Sequence, residues 1–440
     1  MKNSSLTLPS ISVVIPTHNR QASLQRLLDG LGRQTYPFDT MEVVVVSNGC
    51  TDGTLKMLRE YQPCFSLQIV EQSDLGPGAG RNNGATKAKG EILIFLDDDI
   101  EPSPGLVEAH VFAHQKRSGI VVMGYLPPVL EQQSGFIKAE LRRWWESKFH
   151  AMSQTGHRFT YHDLLSGNFS IRKEHFLRVG GFDTSLRSCF DDLEFGIRLL
   201  KSGSCFVYAE EALGYHHESR DLDGLLRRKF QEGLAEVHIG RHHPEVISTL
   251  FTKKIADISS PLMKFFVSLV FKFPAAGDWI VRVIRHMLEI LEWARLRRPW
   301  RFLLDVLMIY WHMRGVSQEL KTPEAWLTFI SEASQPTIDE HIEFRLDISE
   351  GLEVAEDLME RVQPSRARIY YKHYFVASIP PQGGAEPLRG EHLLPILSEL
   401  FPVPVLRALA MDHVMGHTPE VERLIADSNA ILKRIELAHR

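Results

Sequence analysis

Three adjacent aspartates are the sharpest cluster of chemically active side chains in the sequence. Asp97, Asp98 and Asp99 follow the apolar run Ile92–Leu96, which predicts a buried strand. Alternate residues of an extended segment point the same way, so Asp97 and Asp99 are expected to face one ligand while Asp98 points elsewhere. Two carboxylates favour a hard cation such as Mg²⁺ or Mn²⁺, usually shared with phosphate oxygens. The alternative is a solvated acidic turn.

A second acidic group begins at Asp191-Asp192 and continues through Glu194. The apolar residues that follow predict a partly buried helix. Asp192 could act as a general base that removes the proton of an attacking hydroxyl. Either aspartate could instead stabilise the helix N-terminus through its dipole and free N–H groups.

A pair of histidines, His216-His217, follows a further predicted strand. Adjacent side chains of a strand point in different directions, so at most one of the two is expected to bind a given metal ion. A purely structural role for both is the alternative.

Glycines cluster between Gly76 and Gly84. No Lys-Ser or Lys-Thr follows, which excludes a P-loop, and the position after a third strand makes a dinucleotide fingerprint weak. We interpret the segment as a loop whose backbone approaches a diphosphate, with Arg81 and Asn82 beside it. An ordinary turn is the alternative.

Strand and helix patterns alternate over the first 100 residues and must position these groups. Continuous apolar strands such as Glu42–Val46 suit a parallel sheet covered on both faces, so we predict an α/β fold with a mostly parallel sheet flanked by helices. Ligands of such sheets lie at the carboxyl ends of strands. The segments 16–18, 47–49 and 97–99 all fall at such ends, and one crevice is expected to collect them.

The rest of the chain divides by composition. Residues 160–217 complete the first domain, predicted as 1–221. Residues 222–334 predict a helical extension rich in Leu, Phe, Trp and Arg, and residues 335–440 predict a small α+β region whose chemistry is not readable. Ile342–Ile348 and Ile369–Ile379 are the predicted strands of that last region.

Composition narrows the classes of function. The 440 residues hold 50 Lys and Arg against 55 Asp and Glu, so nothing marks a nucleic-acid binder. Four scattered cysteines without a metal or redox spacing favour a reducing compartment. The polar N-terminus does not resemble a signal peptide, and we expect a cytoplasmic protein. Charges and Pro274 interrupt the apolar segment 261–283, which disfavours a membrane span.

Taken together, residues 12–217 resemble the family 2 glycosyltransferases, which have the GT-A fold, a Rossmann-like sheet. The resemblance rests on segments in a fixed order: 13–20 (VVIPTHNR), 47–54 (SNGCTDGT), 80–84 (GRNNG) with 97–99 (DDD), 167–169 (GNF) with 180–183 (GGFD), and 191–199 (DDLEFGIRL). The segments cover about half of the chain, and their order makes them jointly specific.

The resemblance implies an inverting transfer of a sugar from a nucleotide-diphosphate donor. Asp192 matches the catalytic base, and Asp97, Asp99 and His216 match the ligands of Mn²⁺ or Mg²⁺, with His217 as the alternative histidine. Ser47 stands where the family often has an acid that contacts the nucleobase, so UDP-, dTDP- and GDP-sugars stay open as donors. The positions that match donor and acceptor contacts are Pro16, Thr17, Asn19, Arg20, Ser47, Asn48, Gly80, Arg81, Asp97, Asp98, Gly167, Asn168 and Asp191.

Other interpretations stay open from the sequence. A nucleotidyltransferase or a sugar-nucleotide-binding protein would keep the fold, although 16–19 lacks the glycine-rich basic loop expected of the former. The aromatic and arginine-rich extension suits a peripheral membrane contact or a helical cap on the catalytic domain. The acceptor, whether carbohydrate, lipid-linked or a small molecule, and the oligomeric state stay open.

Overall fold

A computed structural model describes residues 8–116, 119–129, 135–258, 261–332 and 344–414. Its strands are β1 Ile11–Thr17, β2 Met41–Asn48, β3 Ser66–Gln72, β4 Ile92–Leu96, β5 Ile100–Pro102, β6 Ile120–Tyr125, β7 Asn168–Arg172, β8 Cys205–His216, β9 Arg345–Asp347, β10 Ala367–Tyr371 and β11 Tyr374–Ile379. Its α-helices are α1 Gln21–Leu31, α2 Thr54–Glu60, α3 Pro77–Lys87, α4 Leu106–Lys116, α5 Phe136–Ser153, α6 Lys173–Val179, α7 Asp191–Lys201, α8 Leu222–His242, α9 Phe251–Asp257, α10 Pro261–Lys272, α11 Pro274–Trp293, α12 Arg297–Leu320, α13 Pro323–Ser331, α14 Leu352–Val362, α15 Gly390–Pro395 and α16 Pro402–Val414.

Eight strands form one sheet in the order β3-β2-β1-β4-β7-β6-β8-β5. β1 pairs in parallel with both β2 and β4, while β7 runs antiparallel between β4 and β6. Every residue of β1 and β4 is buried, as expected for strands that helices cover on both faces. The predicted α/β class is confirmed, and the carboxyl ends of β1, β2 and β4 meet at one edge.

The sequence predicts a glycine-rich loop over 76–80 and then a short helix to Ala88, but the helix begins earlier, within the predicted loop. α3 begins at Pro77, a favoured first helical residue, and it contains Gly78, Gly80 and Gly84. A Cβ on Gly84 would lie 2.5 Å from Cγ1 of Val14, and one on Gly80 would lie 3.0 Å from Cβ of Pro16. The glycines are therefore explained by the close approach of α3 to the sheet, which any side chain at these positions would obstruct.

The chain divides into two compact units. One comprises residues 1–152 and 160–336, so the helical extension shares a unit with the eight-stranded sheet; the other comprises residues 153–159 and 337–440. Within the first unit, α12 packs along α8 so closely that a Cβ on Gly233 would lie 2.0 Å from the carbonyl oxygen of His312. The buried residues of α12 include Trp300, Tyr310 and Met313.

The second unit has the predicted α+β character. Its sheet has the order β11-β10-β9, and buried Leu346, Met359, Ile369 and Leu393 form its core. The single strand predicted over 369–379 is wrong, because the chain reverses at Lys372, where φ is +55°, and β10 and β11 pair as an antiparallel hairpin.

The described helices were also compared with the dimensions of a bilayer. None of them alone is long and apolar enough to cross a membrane. One pair, Gly390–Leu400 and Pro402–Asp412, meets the length and composition criteria only when taken together across a bend of 88°.

Candidate active site

The ends of β1 and β2 are tied to each other by the polar loops that follow them. Asn19 adopts a left-handed conformation with φ at +54°, which its short polar side chain tolerates. Its Oδ1 accepts hydrogen bonds from the backbone N–H groups of Thr51, at 2.7 Å, and Asp52, at 3.2 Å. Asn48 lies buried at the end of β2 and donates to the carbonyl of Gly76 at 2.8 Å. Asn19 and Asn48 therefore shape the edge on which a ligand would lie.

The aspartate triplet at the end of β4 is paired with two arginines. Arg81 Nη2 lies 2.6 Å from Oδ1 of Asp97. Arg20 Nη1 lies 3.1 Å from Oδ1 of Asp98 and 2.6 Å from Oδ2 of Asp99. Thr17 Oγ1 donates to the remaining oxygen of Asp98 at 2.8 Å. Nearly half of the Arg20 side chain is exposed to solvent.

The three carboxylates differ in their proton affinity. Burial raises the pKa of Asp98 to about 7, although the charge of Arg20 opposes the rise. Burial acts in the same direction on Asp99, but the neighbouring His216 and Arg20 outweigh it and lower its pKa to about 2. Asp99 is therefore ionised at neutral pH, as a cation ligand must be.

Arg81 joins the triplet to the second acidic group. Its Nη1 lies 2.8 Å from Oδ2 of Asp191, and its side chain is only 3% exposed. Burial raises the pKa of Asp191 to about 6, against the opposing charge of Arg81. Phe190 precedes the helix with φ at +64°, a costly conformation for a bulky residue, and leads the chain into α7 so that Asp191 is its first residue. Arg81 and Asp191 hold α3, β4 and α7 in one arrangement.

Asp192 lies in a different environment from its neighbour. Its side chain is half-buried, and its Oδ2 lies 3.4 Å from both the backbone nitrogen and the Oγ of Ser166. The only shorter contact of its carboxylate is the 2.9 Å hydrogen bond from the N–H of Leu193, within the residues that the structure describes. A partly accessible carboxylate without a cationic hydrogen-bond partner suits proton acceptance.

The two adjacent histidines contact different carboxylates. His216 Nε2 lies 3.7 Å from Oδ1 of Asp99, and the indole of Trp145 packs edge-on against its ring at 5.0 Å. His217 Nε2 instead lies 2.9 Å from Oε2 of Glu101. Of the two, His216 is the one placed beside the triplet.

The donor set fits a divalent cation held with the help of a substrate. Within the described ranges no three His, Cys, Asp or Glu side chains converge closely enough to hold a metal ion by themselves. Oδ1 of Asp99 is buried and makes no hydrogen bond in the described part of the chain, and it faces His216. Mg²⁺ in phosphate-binding sites usually takes one or two carboxylates and completes its shell with phosphate and water. Asp99 and His216, with the half-buried Asp97 nearby in sequence and paired with Arg81, match that pattern.

Most of the predicted binding residues are buried, including four further ones that pack inside the protein. Ser47 is 1% exposed and Gly80 packs against the sheet. Asn168 is fully buried; its Oδ1 lies 2.8 Å from Nε2 of His110, and its Nδ2 donates to the carbonyl of Ala212 at 2.8 Å. Gly167 accepts a hydrogen bond from the N–H of Asp97 at 3.1 Å, and a Cβ there would lie 3.0 Å from Oδ2 of Asp97. These residues pack behind the site and hold its backbone in place, and their buried side chains do not line the surface open to a ligand.

Two residues at the site were missed by sequence reasoning. Ser166 precedes the Gly167-Asn168 segment directly, and that adjacency was the available signal. Trp145 lies on α5, far from every motif along the chain, and nothing in its neighbourhood of the sequence indicated contact with His216.

Comparison with known proteins identifies the class. Residues 12–180 match the family described as "Glycosyl transferase family 2". This segment, about two-fifths of the chain, is therefore similar to the family 2 glycosyltransferases, as the resemblance predicts.

Particular relatives share about a third of their residues or fewer with this chain. Glycosyltransferase AglE of Haloferax volcanii is 29% identical over 243 residues, 53% of this chain and 75% of that protein. Validoxylamine A glucosyltransferase of Streptomyces hygroscopicus subsp. jinggangensis is 30% identical over 274 residues, 56% of this chain and 63% of that protein. The chain therefore covers less than two-thirds of the length of the second relative.

Among solved structures, the mannosyltransferase PcManGT from Pyrobaculum calidifontis, in complex with GDP-Man and Mn²⁺, superimposes with a TM-score of 0.44. The sequence identity is 20%, and the match covers 70% of this chain and 86% of that one.

Proposed function

We propose that this glycosyltransferase moves a sugar from a nucleotide-diphosphate donor to an acceptor hydroxyl with inversion at the anomeric carbon. The observation that carries the proposal is the contrast between two adjacent carboxylates at the start of α7. Asp191 is buried in an ion pair with Arg81, whereas Asp192 is half-buried and free of a cationic hydrogen-bond partner among the described residues. One carboxylate holds the site together and the other is available for chemistry.

In this proposal the acceptor hydroxyl loses its proton to Asp192 while its oxygen forms a bond to the anomeric carbon. The bond between that carbon and the diphosphate oxygen breaks at the same time, and its electron pair leaves with the nucleoside diphosphate. Attack from the side opposite to the leaving group inverts the centre, as in one-step glycoside displacement. Proton acceptance by a positioned carboxylate contributes roughly 10²- to 10⁴-fold in rate.

A divalent cation would be held by Asp99 and His216, with Asp97 as a further carboxylate nearby in the chain. Acting as a Lewis acid, it would neutralise the charge that develops on the diphosphate. Arg20 contacts Asp98 and Asp99 and is half-exposed, so it is positioned to move onto a phosphate oxygen when a donor binds.

The test is release of nucleoside diphosphate from a panel of UDP-, dTDP- and GDP-sugars, with Mn²⁺, Mg²⁺ or EDTA. We expect one nucleotide to be released only with the cation. Asp99→Asn should abolish the release, and Asp39→Asn, an exposed carboxylate before β2, is the matched control. The anomeric configuration of the product, read by proton NMR, tests inversion.

Two results would contradict the proposal in different ways. Release that survives EDTA and Asp99→Asn would remove the cation from the mechanism. Failure of every nucleotide sugar to bind, measured by calorimetry with the cation present, would exclude the transfer itself.

A further inference from the structure

The helical extension carries an apolar face that no described residue covers. α11 is 20 residues long, about 30 Å. Its inner face is buried through Gly277, Val281 and Leu288. Its outer face carries an exposed row that we call the α11 stripe: Trp279, Val283, Met287, Ile290 and Trp293, with exposures of 63%, 42%, 44%, 62% and 85%.

The spacing of the stripe makes it one continuous surface. Steps of four, four, three and three residues place all five side chains on the same side of a helix, together with the exposed His286. Single exposed apolar residues are ordinary, but a contiguous apolar row bordered by charge marks an interaction surface. Leu296 and Phe302, exposed by 50% and 63%, lie just after it in the chain.

The charges beside the stripe are mostly positive. Residues 279–301 contain six arginines and two glutamates, although the whole chain has a formal net charge of −5. Arg285 is paired with Asp223, and Arg297 and Arg301 face Glu140. Arg282, Arg295 and Arg298 form no ion pair with a carboxylate in the part of the chain that the structure describes. The stripe is therefore bordered by uncompensated positive charge.

A cavity continues this surface on the side of Arg282. It has a volume of about 490 Å³ and opens between α8 and α11. Its charged lining residues are Arg227, Arg282, Arg285, Asp223 and Asp278, and Trp311 also lines it. The indole nitrogen of Trp311 is buried and makes no hydrogen bond to any described residue. The cavity therefore holds charges of both signs next to an apolar row, with Arg285 already paired with Asp223.

We propose that the α11 stripe docks this protein on an anionic membrane surface. A helix with an apolar face, tryptophans and flanking arginines is typical of binding in the interface plane. Indole rings prefer the headgroup level of a bilayer, and the unpaired arginines beside the stripe suit lipid phosphates. A second copy of this chain fits less well, because a two-fold interface would bring the same patch, with its uncompensated arginines, against itself.

The experiment is flotation of the full chain with vesicles of phosphatidylcholine alone and with phosphatidylglycerol added. We expect flotation with the anionic vesicles, weakened by added salt. The double variant Trp279→Glu/Trp293→Glu should lose it, since each indole contributes roughly tenfold or more when buried. Arg295→Gln/Arg298→Gln should weaken it about 25-fold, at roughly fivefold per arginine.

Phe112→Glu is the matched control, because Phe112 is an exposed aromatic residue of α4 (57%) outside the stripe, and it should float like the wild type. Thermal melting of each variant checks that the fold is retained. Three outcomes would overturn the proposal: no flotation of the wild type, undiminished flotation of the tryptophan variant, or a wild-type dimer that this variant converts to a monomer without any lipid binding.

Discussion

The sharpest prediction compares two neighbouring carboxylates by the same substitution. Asp191→Asn and Asp192→Asn each remove one negative charge at the start of α7, yet their contacts differ. Asp192 meets Ser166 only at 3.4 Å, longer than most hydrogen bonds. Its replacement should therefore change the free energy of unfolding by less than about 0.5 kcal/mol.

The same substitution, Asp192→Asn, should have a large effect on the rate of catalysis. Loss of the proton acceptor at Asp192 should slow turnover by roughly 10²- to 10⁴-fold, which corresponds to about 3–5 kcal/mol in the activation barrier. The binding of the nucleotide sugar should change little, since the carboxamide keeps the size of the side chain.

Asp191→Asn should act chiefly on stability. Breaking a buried ion pair costs about 3–5 kcal/mol, but Arg81 keeps its 2.6 Å contact with Asp97, so we expect about 2–3 kcal/mol. Urea unfolding measures stability, and nucleoside-diphosphate release with the donor found by the panel measures turnover. Near-wild-type turnover in Asp192→Asn, or an unchanged urea midpoint in Asp191→Asn, would refute the division of roles.

Three further predictions concern other parts of the same unit. Burial lowers the pKa of His110 to about 4, so folding favours its neutral form, and its contribution to stability is lost as the pH falls from about 6.5 towards 4. Burial shifts the pKa of His114 and of His162 in the same direction, so His110→Gln should reduce the acid-side loss of stability in urea unfolding by about 2 kcal/mol at pH 5 rather than abolish it. Gly84→Ala should cost about 1–3 kcal/mol, because its Cβ would lie 2.5 Å from a valine methyl carbon of β1, whereas Gly105→Ala, with no atom within 4 Å, should leave the urea midpoint unchanged. His216→Ala should weaken Mn²⁺ binding in the presence of nucleoside diphosphate, and equal weakening by His217→Ala would show that the wrong histidine was chosen.

Much of the sheet could be predicted because its signals are local. The valines of β2 and the apolar run of β4 indicate buried strands whatever surrounds them, and the triplet follows directly from the end of β4. The misread glycines show the limit of such signals. Gly80 and Gly84 suggest a loop by composition, but their reason is the distance between α3 and β1, which no local pattern contains.

The hairpin of the second unit shows a related limit. The apolar pattern of residues 369–379 continues across the turn, so periodicity alone reads one strand. The reversal depends on the left-handed conformation at Lys372, which is uncommon for a lysine and carries no sequence signal of the kind that glycine or asparagine provides.

The site itself depends on partners that lie far apart in sequence. Asp97 and Asp191 are 94 positions apart, and the sequence presents them as separate motifs; Arg81 makes them one unit by contacting both within 2.8 Å. A buried arginine between two carboxylates is satisfied only when all three are in place, so the same contacts that position α7 also fix where the adjacent Asp192 stands. Asp192 can therefore be poorly partnered and still well positioned, because the neighbour that anchors it is one residue away.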